Sequence, residues 1–224
     1  MSLRNWYATL AVVVGVIGLL LDFWIIAGTM VVSTGNPVAR SLPSMLIYYW
    51  TFLTNLSNGA LLLTYIADTT GARSLGWFRQ PVTRTGMTEI MLLVMSYYHF
   101  MLAPTLHDMP GAITVSNILL HYCTPLLFLG WWAAFTAHGT LRVRDVPMML
   151  VPGLSYVAYV LIRGRIAGEY PYTILDPTFA IPAHPAQGYL GVAVGVGVLL
   201  ALVVIFDLLL VALDGLMARR RKSA

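Results

Sequence analysis

Residues 7–32, YATLAVVVGVIGLLLDFWIIAGTMVV, contain one charged side chain, Asp22, in a run long enough to cross a lipid bilayer. A transmembrane helix needs about 20 mostly apolar residues, because each residue advances the helix by about 1.5 Å through a hydrocarbon core about 30 Å thick. Five further runs meet this requirement, and the predicted spans are residues 7–32, 44–67, 86–104, 113–137, 146–165 and 188–216. The sequence therefore predicts an all-α, polytopic membrane protein with six transmembrane helices in a single domain, residues 1–224.

The composition supports the same class. Hydrophobic residues make up 58% of the chain and charged residues 10%. The mean hydropathy of +0.78 lies outside the range of soluble globular proteins. The first apolar run is too long for the core of a signal peptide and lacks a small-residue cleavage pattern, so we interpret it as an uncleaved first helix. Cys123 is the only cysteine, which excludes an intrachain disulfide.

The basic residues are unevenly divided between the two sides of the predicted bundle. Of 13 Lys and Arg residues, ten fall at the N-terminus, in the second and fourth connections and in the tail, and only Arg40, Arg163 and Arg165 fall on the other side. Because cytoplasmic loops retain Lys and Arg, this bias predicts that both termini are cytoplasmic. The net charge of +4 reflects this topology. A basic face interleaved with aromatics is absent, so we expect no nucleic-acid partner.

Polar side chains recur within the predicted spans. Thr51, Thr54, Asn55 and Asn58 lie at i, i+3, i+4 and i+7 on the second span, which places them on one helix face. Both Thr54 and His121 of the fourth span lie roughly 12 to 15 Å below the same boundary of the bilayer. We therefore expect their side chains to meet near the midplane. Such groups either form a functional site or hold neighbouring helices together by hydrogen bonds.

A second set of polar residues falls in the outer half of the predicted bundle. Unpaired charges are costly to bury, so these residues are expected to converge on one cavity that opens outward or laterally, with Thr54 and His121 as its floor. The segment 168–177 is either a lid over this cavity or an aromatic belt at the membrane interface. The residues concerned are Asp22, His99, Arg163 and the segment 170–176, which includes Tyr172 and Asp176; Tyr159 shares a face of the fifth span with Arg163.

Several familiar chemistries are excluded by the sequence. The only lysine is Lys222 in the tail, so a retinal Schiff base within the membrane is impossible. Helical zinc motifs, a Gly-x-Ser-x-Gly elbow, a Walker loop and a dinucleotide fingerprint are all absent, and we expect no metal and no cofactor. What remains is a hydroxyl beside a potential base. Thr54 activated by His121 would form an acyl-enzyme in the manner of serine hydrolases.

Three stretches of the sequence carry a family resemblance. They are Tyr48 to Asn58 (YYWTFLTNLSN), His121-x-x-x-Pro125 followed by Trp131-Trp132, and Arg163-Gly164 with Tyr170-Pro171-Tyr172-x-x-Leu175-Asp176-Pro177 and Gly188-Tyr189. Together they resemble the prokaryotic six-helix branch of the androgen-induced, androgen-dependent membrane hydrolases, from the second span to the start of the sixth. One departure is Thr173, which stands where the loop of that family has a proline.

The resemblance implies an intramembrane threonine hydrolase of fatty acid esters of hydroxy fatty acids, acting on a lipid substrate from the bilayer. Carried over residue by residue, it makes Thr54 the nucleophile and His121 the base. Thr51 is the rival nucleophile, because its Trp50-Thr51-Phe52-Leu53 setting also matches the motif of the family.

Further roles follow if the chain is such a hydrolase. Asn55 or Asn58 would donate to the oxyanion, and Arg163 or a loop tyrosine would hold a carboxylate. The competing hypothesis is a small transporter or a lipid- or ligand-binding membrane protein. It predicts a polar track that continues inward past Glu89 and Asp207, whereas the hydrolase hypothesis predicts a pocket closed near Thr54. The sequence leaves the oligomeric state undetermined.

Overall fold

The structure, a computed structural model, describes residues 2–30, 40–106, 111–179 and 186–223. These residues form eight α-helices and no β-strand, so the all-α prediction is confirmed for the described part of the chain. Two π-helical turns, Tyr98–Leu102 and Leu119–Cys123, follow α4 and join α5 to α6. The α-helices are α1 Leu3–Met30, α2 Leu42–Tyr49, α3 Leu53–Thr70, α4 Pro81–Tyr97, α5 Gly111–Ile118, α6 Thr124–Phe135, α7 Val146–Ala167 and α8 Gly188–Ser223.

Four continuous helical segments of the described chain are long and apolar enough to cross a membrane. They are Leu3–Gly28, Gly111–Phe135, Val143–Ala167 and Gly188–Arg220. They correspond to the first, fourth, fifth and sixth predicted spans, although residues 31 and 32 of the first predicted span lie outside the described residues. The chain is therefore an integral membrane protein.

The second predicted span, 44–67, is divided into two helices. α2 ends at Tyr49 and α3 begins at Leu53, with Phe52 between them in an extended conformation (φ −74°, ψ 131°). Side chains satisfy the backbone groups freed by this break: the Asn55 amide donates to the Tyr49 carbonyl (3.0 Å) and the Tyr156 hydroxyl to the Thr51 carbonyl (2.9 Å). Such compensation is what allows a broken helix within a membrane.

The third predicted span, 86–104, is also not one continuous α-helix. α4 has 17 residues and passes into the π turn at Tyr98, and a 3₁₀ turn follows over Ala103–Thr105. Pro104 has no N–H to donate to the carbonyl of Phe100 four residues earlier, which favours this change of helical type.

Aromatic side chains fill the core between α1, α3, α4 and α6. Trp131 and Phe128 of α6 are fully buried, and Tyr65 of α3 packs edge-on against both rings at centroid distances of 5.2 and 5.7 Å. α4 also packs against α7 and α8, which places α4 at the centre of the bundle. Large apolar residues of α1 and α8 such as Trp24 and Val198 point away from the bundle, as expected for a surface in contact with lipid.

Buried ionic contacts tie together one end of the bundle, which we call the termini end. Asp68 near the end of α3 accepts hydrogen bonds from Arg4 of α1 and Arg84 of α4. Asp214 of α8 accepts from the backbone N–H of Gly139 (2.8 Å) and contacts the ring of His138 (2.9 Å), both in the connection after α6. Tyr7 of α1 also packs against Phe135, the last residue of α6, at a centroid distance of 5.7 Å. The start of α1 and the last part of α8 therefore lie at the same end as this connection.

The opposite end, which we call the loop end, carries the connection after α7. Glu169 lies in this connection and accepts hydrogen bonds from Arg40 and Arg163. Burial disfavours the charged form of Glu169, but the hydrogen bonds and charges of the two arginines outweigh it and hold the pKa of its carboxyl below the ordinary value. The connection is therefore held against α7 by an ionic cluster.

Candidate active site

Thr54 and His121 are in direct contact. The Thr54 Oγ1 lies 3.2 Å from Nε2 of His121, and Nδ1 of His121 lies 3.1 Å from the carbonyl oxygen of Asn117. A carbonyl can only accept, so Nδ1 carries the proton and the lone pair of the neutral imidazole is at Nε2. The Thr54 hydroxyl therefore donates to Nε2, which confirms the contact predicted from helix face and depth. This is the geometry that a general base and its nucleophile require.

His121 owes its position to the π turn Leu119–Cys123. Pro125, four residues later, has no N–H for the His121 carbonyl, and the wider turn accommodates the missing hydrogen bond. The ring of Tyr98, in the other π turn, stacks on the imidazole at a centroid distance of 4.1 Å and an interplanar angle of 20°. The imidazole is thus held on one side by its own helix and on the other by an aromatic face.

The break before α3 places Thr54 in the first turn of that helix. The first N–H groups of a helix have no partner within it and carry a partial positive charge. Here the hydroxyl of Tyr172, from the connection after α7, interacts with the N–H groups of Leu53 and Thr54 and with the Thr54 side chain. Two backbone N–H groups therefore lie beside the candidate nucleophile and face the Tyr172 hydroxyl.

A cavity of about 110 Å³ extends from this pair between α4, α7 and α8. Thr54, His121 and Tyr172 line it at the side of the loop end, and Glu89 of α4 lines it further toward the termini end. The expectation that Thr54 and His121 form its floor is wrong, because they lie on its wall and the cavity continues past them. Apolar side chains make up most of the remaining wall, among them Leu93, Val94, Leu150, Val157, Val196 and Leu199.

The two asparagines predicted to donate to an oxyanion are engaged elsewhere. The amide of Asn58 donates to the carbonyls of Thr54 (2.8 Å) and Leu120 (3.3 Å), and its oxygen accepts from Thr124 (2.5 Å). Asn55 donates across the helix break to Tyr49 (3.0 Å). Neither residue is among those that line the cavity. Their side chains therefore hold helices together, and the available oxyanion donors are backbone groups.

The prediction that the outer polar residues converge on one cavity is wrong. The segment 170–176 does contribute to the cavity wall, through Tyr172, Ile174 and Leu175, but Asp22, His99 and Arg163 do not line it. Asp22 on α1 interacts with Asn55 and accepts from Ser116 (3.4 Å). His99 is exposed and lies 2.9 Å from the Tyr122 hydroxyl. Asp22 and His99 therefore lie at separate places, because each interacts with side chains of the helices packed beside it.

Two more of these residues, Arg163 and Tyr159, belong to a groove at the loop end that also includes Arg40 and Glu169. Arg163 donates to the Glu169 carboxylate (2.5 Å), so it anchors the connection after α7 instead of reaching the cavity. The remaining member, Asp176, accepts from the backbone and hydroxyl of Thr178 (2.8 and 2.6 Å) and thereby closes a turn.

Thr51, the rival nucleophile, is fully buried in the helix break. Its hydroxyl donates to the Ile47 carbonyl (2.7 Å) and lies 3.4 Å from the Tyr159 hydroxyl. It does not line the cavity, whereas Thr54 does. Of the two threonines, Thr54 is the one with both a base and access to the cavity.

Comparisons with protein family models, curated proteins and solved structures give no match to this chain. The interpretation of the site therefore depends on its residues and their geometry. Within the described residues no group of three or more His, Cys, Asp and Glu side chains is placed to hold a metal ion.

Sequence reasoning missed Tyr98 as the stacking partner of His121 and the N–H groups of Leu53 and Thr54 as donors. Pro104 and Pro125 are the signals that could have indicated irregular helix near both aromatic rings, since each removes a helical hydrogen bond. The helix break carries no comparable signal, because Trp50 and Phe52 are as apolar as the helices around them.

Proposed function

We propose that this protein is an intramembrane lipid ester hydrolase that cleaves fatty-acyl esters, such as fatty acid esters of hydroxy fatty acids, through Thr54. The observation that carries the proposal is the hydrogen bond from the Thr54 hydroxyl to Nε2 of His121 at the wall of an apolar cavity. The resemblance of the chain, from the second predicted span to the start of the sixth, to the androgen-dependent membrane hydrolases supports the same chemistry. An apolar cavity suits a lipid substrate that stays in the bilayer.

The topology belongs to the same proposal. α2 with α3, and α4 with its π turn, would be the second and third of six passes through a bacterial inner membrane. Both termini would then lie in the cytoplasm. The contact of Arg4 with Asp68 and the contact of Asp214 with the connection after α6 support this arrangement, because they bring the ends of alternate passes together. The bias of Lys and Arg toward the termini end supports its orientation.

In the proposed reaction, the Thr54 Oγ1 attacks the ester carbonyl as its proton passes to Nε2 of His121. The negative charge that develops on the carbonyl oxygen would be stabilised by the N–H groups of Leu53 and Thr54 once substrate displaces the Tyr172 hydroxyl. Collapse of the tetrahedral intermediate breaks the ester C–O bond, and His121 returns the proton to the leaving alkoxide. Water then hydrolyses the acyl-threonine with His121 again as base.

A carbonyl orients the imidazole in this site. The Asn117 carbonyl accepts from Nδ1 as the aspartate of a serine protease triad does, but it carries no full charge to stabilise the imidazolium that forms. We therefore expect this enzyme to be slower than one with a full triad.

The second candidate function is transport or binding of a lipid without covalent chemistry. The continuation of the cavity past Thr54 to Glu89 favours it, because a hydrolase pocket was expected to close near Thr54. Asp207, the next polar group inward, is not among the residues that line the cavity, and the wall is mostly apolar. A transport path for a polar solute would need a continuous polar wall.

Labelling with a fluorophosphonate probe distinguishes the candidates. The purified wild-type protein in detergent should be phosphonylated at Thr54, as located by mass spectrometry. The variants Thr54→Ala and His121→Ala should lose labelling and lose ester hydrolysis by about three or more orders of magnitude while remaining monodisperse. Thr51→Ala is the matched control, since it removes a buried hydroxyl one turn away, and it should still be labelled.

Two outcomes would contradict the proposal. Labelling that persists in Thr54→Ala and disappears in Thr51→Ala would move the nucleophile to Thr51. A protein that binds lipid but is neither labelled nor able to hydrolyse any ester would favour the second candidate function.

A further inference from the structure

Glu89 is placed unusually for a carboxyl group. It lies on α4 with 2% of its surface exposed, and among the described residues that line the cavity it carries the only carboxyl. The residues of the cavity wall around it, such as Ile90, Leu150 and Val203, are apolar. A polar group so placed is costly unless a partner satisfies it, and for that reason such groups mark functional sites in membrane proteins.

The described part of the chain supplies no hydrogen bond to Glu89. The one group that acts on it directly is Asp207 of α8, through its charge. Asp207 is itself fully buried, and both of its carboxyl oxygens lack a hydrogen-bond partner among the described residues. A water molecule needs two to four polar partners to be held firmly, and the apolar wall beside Glu89 does not offer them. The partner of Glu89 is therefore expected to come from a ligand in the cavity.

The surroundings limit the chemistry of that ligand group. A second carboxyl nearby disfavours an anion, and the apolar wall disfavours a full positive charge. A neutral group that can both donate and accept a hydrogen bond, such as a hydroxyl, meets both conditions.

The depth of Glu89 sets where this group lies on the substrate. Tyr98 stacks on His121 and so marks the level of the reacting ester, and Glu89 precedes it by nine residues on the same helix. At about 1.5 Å per residue this separates them by about 13 Å along the helix axis. With carbon–carbon bonds near 1.5 Å in a zigzag, an extended chain covers that distance in roughly ten carbons.

We propose that Glu89 is a specificity-determining residue that binds a hydroxyl carried on the lipid chain about ten carbons from the ester, so that the preferred substrates are esters of hydroxylated chains. The inference rests on the proposed hydrolase function for its position along the substrate. It adds to that function a second polar subsite at the far end of the cavity.

The test compares two p-nitrophenyl esters that differ only at the far end, dodecanoyl and ω-hydroxydodecanoyl. Wild-type kcat/KM should favour the hydroxylated ester by about tenfold, the value of one hydrogen bond in such a site. Glu89→Gln keeps a donor and an acceptor and should retain the preference for the hydroxylated ester. Glu89→Leu should abolish this preference, and its kcat/KM for the plain ester should exceed that of the wild type. Glu169→Gln is the control, because this acid lies in the groove at the loop end and does not line the cavity, and it should retain the preference.

A binding measurement separates failure of this inference from failure of the proposed function. Thr54→Ala protein in lipid nanodiscs is titrated with methyl dodecanoate and methyl ω-hydroxydodecanoate, and each is scored by displacement of a fluorescent fatty acid. A hydroxyl preference in binding, lost in Thr54→Ala/Glu89→Leu, upholds the inference even if no ester is hydrolysed. Equal binding of both ligands, or a preference that survives Glu89→Leu, overturns it even if hydrolysis is intact.

Discussion

The substitution Gly153→Leu should shorten the cavity without touching the catalytic pair. Gly153 of α7 lines the cavity, and a Cβ built at this position meets no atom within 4 Å. A Cβ at Gly86 of α4 would meet Met149 of α7 at 3.4 Å, so these residues are neighbours. Both helices run from the termini end to the loop end. Four residues beyond the Gly86–Met149 pair, Gly153 of α7 is therefore level with Ile90 of α4. A leucine there fills the part of the cavity near Glu89.

The expected magnitude follows from the carbon atoms displaced. A leucine side chain has four carbons and excludes about four methylene groups of a long acyl chain, each worth about 0.8 kcal/mol when buried. The loss is then about 3 kcal/mol, or up to about 200-fold in kcat/KM at 1.4 kcal/mol per factor of ten. A short acyl chain never reaches this region, and its kcat/KM should stay within about twofold of the wild type.

The assay measures kcat/KM of purified protein for p-nitrophenyl esters from butanoyl to hexadecanoyl. Gly197→Leu on the exposed face of α8 is the matched control, because a Cβ there also meets nothing within 4 Å and the residue does not line the cavity. The control should keep the wild-type preference for chain length. An equal loss on short and long esters in Gly153→Leu, or no loss on either, would refute the assignment of this cavity to the acyl chain.

Three further predictions concern stability, each measured by thermal unfolding in detergent. Asn58→Ala should lower the stability by about 2 kcal/mol, because two backbone carbonyls and a hydroxyl lose their partner. Probe labelling of this variant should persist, and loss of labelling in folded protein would contradict the assignment of backbone N–H groups as oxyanion donors. Glu169→Gln should cost about 1 kcal/mol of stability at neutral pH. The pKa of the Glu169 carboxyl is lowered in the folded protein, so this contribution is present above the ordinary glutamate range and is lost as the pH falls through the lowered pKa. A stability difference from the wild type that persists in acid would contradict this ionic contribution. Gly164→Ala places a Cβ against the ring of Tyr170 and should cost about 1 to 3 kcal/mol. Gly28→Ala, where a Cβ meets nothing, should be neutral or slightly stabilising, because alanine favours a helix over glycine, and equal effects of the two variants would contradict the close approach.

The contact between Thr54 and His121 was predictable because it depends on properties of single helices. Spacing along one helix determines which side chains share a face, and the number of residues from the helix start determines depth. The residue counts run across the break before α3 and into the π turn that holds His121, and the observed contact shows that neither irregularity moves the two side chains to different levels. The catalytic role given to the pair stays a prediction until the probe experiment is done.

The partners of the other polar residues could not be predicted in this way. Arg163 has Glu169 within reach only because the connection after α7 folds back on its own helix, and Asn58 is held by Thr124 only because α3 and the π turn before α6 are adjacent. Such choices depend on distances between helices that are far apart in sequence. Periodicity in one helix carries no information about them.

The sequence by itself determined that this is a helical membrane protein, and it correctly predicted the four spans that are continuous helices. These properties follow from the length and polarity of each segment in a hydrocarbon solvent. It also predicted the contact between Thr54 and His121, although it left Thr51 as a rival nucleophile. The tertiary structure decided where α3 begins, which N–H groups face the site and where the cavity runs. These depend on how α4, α7 and α8 pack, since a cavity is the space that side chains from separate helices leave unfilled. Glu89 illustrates the difference, because its polarity is visible in the sequence and its position on the cavity wall is not.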